Sequence, residues 1–152
     1  MKKLILSFLL TASLLLCGCS EYAEPDVHQL VASIVSEQSI ELPTEASDED
    51  IAVIFDFDPS EVEDCAVTYS GRGGYADIIA VFKLESADSA EDFSAMLSDY
   101  KASRYEDFKG YAPFEAEKLE NGKVMTYGRY VLLAVVPDIS KAHADIDAAF
   151  KP

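Results

Sequence analysis

The chain has no tryptophan, three cysteines, two histidines and only 12 basic side chains against 28 acidic ones. Each shortage excludes something. Cys17 and Cys19 lie in the N-terminal segment, so Cys65 is the one thiol left in the body of the chain. A disulfide within that body is therefore not expected, and stability has to come from packing. A formal charge of −16 repels nucleic acid and anionic headgroups. Basic protein surfaces and divalent cations are the counterparts that charge favours. After the first apolar run, none approaches the ~20 residues needed to span a bilayer. Gly-x-Ser-x-Gly and His-Glu-x-x-His are missing, as is Cys-x-x-Cys beyond Cys19. No cofactor, metal or catalytic residue is expected on those grounds.

What is present begins at the N-terminus. Lys2 and Lys3 precede an apolar run from Leu4 to Leu16, which ends in Leu16-Cys17-Gly18-Cys19. A basic start and a short apolar core read as an export signal. Leu at −3, Gly at −1 and Cys at the cut resemble the lipobox of bacterial lipoproteins, which implies cleavage before Cys19 and acylation of its thiol. Cys17 is the poorer candidate, since Leu16 stands where a small residue is wanted. The expected organisation is a signal peptide over 1–18, a lipidated tether over 19–25 and one domain over 26–152. Two acyl chains anchor stably where one is marginal. The expected location is the outer face of the cytoplasmic membrane, with the membrane as partner through Cys19.

In the mature part, Val27, Leu30, Val31, Ile34 and Val35 recur at helical spacing after Pro25. Residues 36–50 read as a polar connection. Ser47 with Asp50 forms a capping-box pattern before Ile51, Ile54 and Phe55, and Asp58-Pro59 reads as a cap followed by one turn. Two strands, 65–70 and 75–84, are joined through Gly71-Arg72-Gly73-Gly74. Ser89 is placed to cap the longest helix, whose stripe runs through Phe93, Met96, Leu97, Tyr100 and Phe108. Asn121-Gly122 signals a two-residue turn between 117–120 and 123–127. A nearly continuous apolar run over 130–136 reads as a second central strand, closed by Pro137. Asp138 or Ser140 then caps a last helix. The expected fold is α+β: a mostly antiparallel four-stranded sheet with helices packed on one face.

The blocks 57–64, 76–83, 111–113 and 128–136, in that order, resemble the domain-of-unknown-function 4358 family of Gram-positive lipoproteins. The likeness runs over roughly residues 25 to 150. Asp77 stands where that family's strand is expected to carry Glu. The resemblance implies a lipoprotein of unknown role and carries over no catalytic residue.

Four side chains are candidates for ligand or partner contact. Arg72 tips the glycine-rich loop and is placed to meet a carboxylate. Arg104 falls seven after Leu97 and four before Phe108, on the apolar stripe, so its stem is expected to pack and its guanidinium to pair with a carboxylate such as Asp77. Tyr111 belongs to a tyrosine supply suited to an interaction face. Asp56-x-Asp58-x-Ser60 fails the EF-hand pattern, with Glu61 where Gly is required and Val67 where Glu is required. Cys65 reads as a core residue, because Glu63 and Asp64 beside it would raise its pKa. His28 and His143 could join it in a site only if the fold brings them together.

Three functions compete. A non-catalytic, surface-tethered binding module that contacts another envelope protein comes first. A receptor for a cation or small solute using the acidic loops comes second. An envelope hydrolase is the weakest.

Overall fold

A computed structural model of the chain describes residues 22–152. The signal over 1–18 and the acylation site at Cys19 lie outside the described residues. Helix α1 (Val27–Ser36) begins where the Asp26 carboxylate accepts the Gln29 N–H at 2.8 Å. It buries Val27, Leu30, Val31 and Ile34. Helix α2 (Asp48–Phe55) opens on Ser47, whose hydroxyl accepts the Asp50 N–H and donates to the Asp50 carboxylate at 2.7 Å. Asp56 closes α2 in the left-handed region, at φ 49°. Asp58 caps the following turn by accepting the Ser60 N–H at 2.9 Å. Capping thus accounts for the acidic spacing that suggested a cation loop.

Five strands form one antiparallel sheet in the order β1-β2-β3-β5-β4. They are β1 (Pro43–Glu45), β2 (Val62–Ser70), β3 (Ile78–Leu84), β4 (Lys123–Tyr127) and β5 (Tyr130–Val135). The expectation of four missed β1, a three-residue edge strand inside the polar connection that pairs Pro43 with Ser70 and Glu45 with Thr68. Between the strands run α3 (Ala90–Phe108), α4 (Pro113–Asn121) and, after β5, α5 (Ile139–Ala149). Ser89 makes no capping bond to α3. Ser86 caps a short 3-10 turn, Ala87–Ser89, that leads into it. For α5, the Asp138 carboxylate accepts the Lys141 N–H at 2.9 Å.

Helices cover both faces of the sheet rather than one. Ala80, Phe82, Leu133 and Val135 meet α2, α3 and α4 on one side. Ile79, Val81, Leu132 and Ala134 meet α1 and α5 on the other. The central strands require this arrangement. Every residue of β5 is buried, and a strand buried on both pleat faces needs a layer on each.

Residues 117–120 are helical. Pro113 starts α4, Ala116 and Leu119 bury one stripe three residues apart, and Gly122 ends it with its N–H on the Lys118 carbonyl at 2.8 Å. Gly122 has φ −56°, so Asn121-Gly122 is a helix exit and not a hairpin turn. A side chain would not fit there, because an added Cβ would lie 2.7 Å from Val135 Cγ2.

Candidate functional site

The strand register divides the sheet into two ends. Ser70, Ile78, Val135 and Lys123 lie at one, and Val62, Leu84, Tyr130 and Tyr127 at the other. The first end gathers most of the side chains that the sequence singles out. It carries the 71–77 connection, the start of β1 and the beginning of α4.

Asp77 is buried there, its side chain only 1% exposed, and it needs a cation. The partner is Lys118 of α4 and not Arg104. The Lys118 ammonium donates to Asp77 Oδ1 at 2.7 Å and lies 2.7 Å from Glu115 Oε2. Glu115 in turn accepts the Ala76 N–H at 2.8 Å, and the Tyr75 ring lies 5.7 Å from Lys118 Nζ. One ammonium, two carboxylates and one backbone N–H therefore fasten α4 to the segment that leads into β3. Burial raises the Asp77 carboxyl above its ordinary pKa, while the Lys118 bond pulls against that rise. Burial works against the Lys118 charge as well, but its two carboxylate bonds outweigh burial and raise its pKa. With each carboxylate committed to the same ammonium, the cluster acts as a clasp.

Arg104 lies on α3 with its side chain 37% exposed. It pairs with Asp107 at 3.2 Å and covers the Phe108 ring at 4.8 Å. It is thus the guanidinium that meets the apolar stripe, and the carboxylate it pairs with is the local Asp107 and not Asp77. Arg72 is exposed at the loop, 3.3 Å from Glu41 and 5.5 Å from the Tyr75 ring centroid. Tyr111 is 65% exposed and stacks on Phe108 at 5.3 Å. Two residues that sequence reasoning missed stand at the same end: Phe114, 82% exposed on the first turn of α4, and Leu42, 64% exposed. Leu42 has φ 50°, a conformation that costs a bulky side chain energy. Its carbonyl accepts the Gly71 N–H at 2.9 Å, which ties it to the loop. Among the described residues, three of the four exposed large apolar side chains thus belong to segments at this end of the sheet, the fourth being Val53 on α2.

The fold brings His28 and Cys65 to one small cavity of about 80 Å³. His28 Nε2 lies 3.4 Å from Asp64. Burial, with Asp48 and Asp64 adding to it, pushes the Cys65 thiol up to about 11. A thiol held protonated is a poor nucleophile and a poor metal ligand. His143 is elsewhere, 3.6 Å from Asp147 on α5. Among the described residues no group of three or more His, Cys, Asp or Glu side chains is disposed to hold a metal. A wider cleft of about 410 Å³ opens beside Cys65, with Phe57 and Val62 in its wall and Asp48, Glu49, Glu63 and Asp64 around it.

No curated protein and no solved structure matches the chain. A family model described as Domain of unknown function (DUF4358) matches residues 36–136, from the end of α1 to the end of β5. That span takes in the clasp, the 71–77 loop and the exposed apolar end. The chain belongs to this family, DUF4358.

Proposed function

We propose that this chain is a membrane-anchored lipoprotein whose domain is a non-catalytic binding module at the extracytoplasmic face, engaging another envelope protein through the end of the sheet that bears Leu42, Tyr111 and Phe114. The observation that carries this reading is the gathering of those three exposed apolar side chains at one end of a chain of formal charge −16. Rigid aromatics supply contact area at little entropic cost, and Arg72 on the 71–77 loop at the same sheet end adds an exposed cation for a partner carboxylate. The clasp beneath holds α4 and the loop in fixed relation, so the surface is preorganised. Photocrosslinking from Phe114 and Arg72 in cells, with Val53 as the control position, tests it. A recurrent protein captured from Phe114 and Arg72 but not from Val53, and lost when Cys19→Ala releases the chain, supports the module. Equal background from all three positions overturns it.

A second reading rests on the carboxylate-rimmed cleft beside Cys65: a receptor for a cation or a small cationic solute. Ca²⁺ or Mg²⁺ at ~1 mM would then raise the thermal midpoint by several degrees through preferential binding to the native state. An unchanged midpoint removes the divalent-cation form of that reading.

A further inference from the structure

Residues 22–25, part of the expected lipidated tether over 19–25, make contacts with the body of the domain. The Ala23 N–H donates to the Phe150 carbonyl at 3.1 Å, and the Tyr130 hydroxyl donates to the Pro25 carbonyl at 3.1 Å. Arg129 donates to the Glu24 carboxylate at 2.7 Å and also pairs with Glu63. Lys83 Nζ sits 2.7 Å from Glu63 and 3.5 Å from Glu24. These bonds hold the Glu24 carboxyl below its ordinary pKa, Arg129 contributing most. The Tyr22 ring meets Tyr127 edge-on at 5.6 Å, and Tyr127 stacks on Phe150 at 4.3 Å. The segment is thereby joined to β3, the β4–β5 turn, the start of β5 and the end of α5, with Glu63 of β2 sharing its two cations.

All of those contacts lie at the 127–130 end of the sheet, opposite the exposed apolar end. Tyr22 follows Cys19 by three residues, which span at most about 11 Å when fully extended. The seven residues of β3 separate the two ends by roughly 20 Å. An acyl group on Cys19 therefore reaches the bilayer from one end of the sheet only, unless the docked segment is pulled off.

Resting on the acylation of Cys19 proposed above, we infer that the docked segment fixes the domain's orientation. The surface made by Tyr22, the 127–130 turn and the end of α5 lies against the lipid headgroup layer, and the Leu42–Phe114 end is held away from it. Tyr22 and Tyr127 are amphipathic rings suited to headgroup depth. Lys83 and Arg129 are engaged by Glu24 and Glu63, so the acyl chains and not a basic patch supply the hold. A partner met by this end would sit about one domain height above the membrane.

The test uses the full, acylated chain in phosphatidylcholine vesicles, with Cys65→Ser to leave one new thiol. A bimane label is placed at Lys151→Cys on the docked end or at Gly73→Cys on the opposite end, where an added side chain meets nothing within 4 Å. Nitroxide-headgroup lipids should quench the label at 151 at least threefold more than the label at 73. Arg129→Glu, or Tyr130→Phe with Glu24→Gln if that variant fails to fold, should narrow the difference. Equal quenching at the two positions, or stronger quenching at 73, overturns the orientation. Vesicle flotation separates the two claims: a Cys19→Ala chain that still floats defeats the acylation reading and the orientation with it. A chain that floats only when Cys19 is present, yet quenches equally, defeats the orientation alone.

Discussion

Lys118→Met is the substitution that most directly tests the clasp. Asp77, Lys118 and Glu115 have side chains 1%, 19% and 15% exposed, so solvent screens them little. Removing the ammonium leaves two carboxylates facing each other with no cation between them. Breaking a buried pair from one side costs about 3–5 kcal/mol, a large part of the ~5–15 kcal/mol that holds a domain of this size together. The pH dependence separates this from a packing defect. The Asp77 pKa is already raised above its ordinary 3.8 by burial, and losing the Lys118 bond raises it further. A carboxyl whose folded pKa exceeds its unfolded value binds its proton more readily in the native state. Its contribution therefore improves as pH falls through the raised value towards 3.8. Each pH unit in that window contributes up to ~1.4 kcal/mol. Urea unfolding should show the variant well below the parent at pH 7.5, with the gap narrowed at pH 5. Asp77→Asn in the same chain should recover most of the loss, leaving roughly 1–2 kcal/mol for hydrogen bonds no longer made. A cost under ~1 kcal/mol at pH 7.5, or a gap that does not change between the two pH values, would refute the clasp as described.

Other substitutions probe the remaining assignments. Gly122→Ala drives a methyl to 2.7 Å from Val135 Cγ2 and 3.1 Å from the Ala134 carbonyl. It should cost ~1–3 kcal/mol in chemical denaturation, and a neutral result would mean that the α4–β5 contact yields. Arg104→Met removes a half-exposed i,i+3 pair and a ring contact, and should cost less than ~1 kcal/mol. A loss of several kcal/mol would place Arg104 in a buried network after all. The Cys65 thiol, pushed up to about 11, should alkylate slowly at neutral pH and about tenfold faster per pH unit through pH 9. A titration midpoint at or below that of an ordinary thiol would contradict its burial.

Periodicity carried most of the fold because burial in this chain follows the period of each element. Val27, Leu30, Val31 and Ile34 mark α1, and the two continuous apolar strands are β3 and β5. The expectation of helices on one face did not follow from these strands: Ile79 and Val81 alternate with Ala80 and Phe82, all four are buried, and that requires a layer on each face. Two elements left weaker marks. Strand β1 is three residues long and mostly exposed, and only its ladder to β2 defines it. Residues 117–120 carry a single apolar side chain, Leu119, too few to separate a helix from a strand. Asn-Gly beside them then pulled the reading towards a hairpin, although Gly122 is required by its closeness to Val135 and not by a left-handed φ.

The candidate surface was legible only where one residue breaks its local pattern. Asp77 and Arg104 stood out as charges among apolar neighbours, and pairing them was a reasonable inference from one dimension. Lys118, the true partner, sits in Glu117-Lys118-Leu119-Glu120 and reads as an ordinary solvated charge. Its burial arises 41 positions from Asp77, from the way α4 crosses the sheet end. Tyr111 was singled out, but Leu42 and Phe114 were not, because exposure of an apolar side chain is the absence of a covering element. No residue nearby in sequence records that absence. The same holds for Glu24, whose polar neighbours suggested a tether until Arg129, 105 positions away, engaged it. In each case the decisive contact closes across a sheet end, where residues remote in the chain converge and period carries no information. The contact surface proposed for this domain lies at one such end, where α4 and the 71–77 loop meet although their residues are remote in the chain.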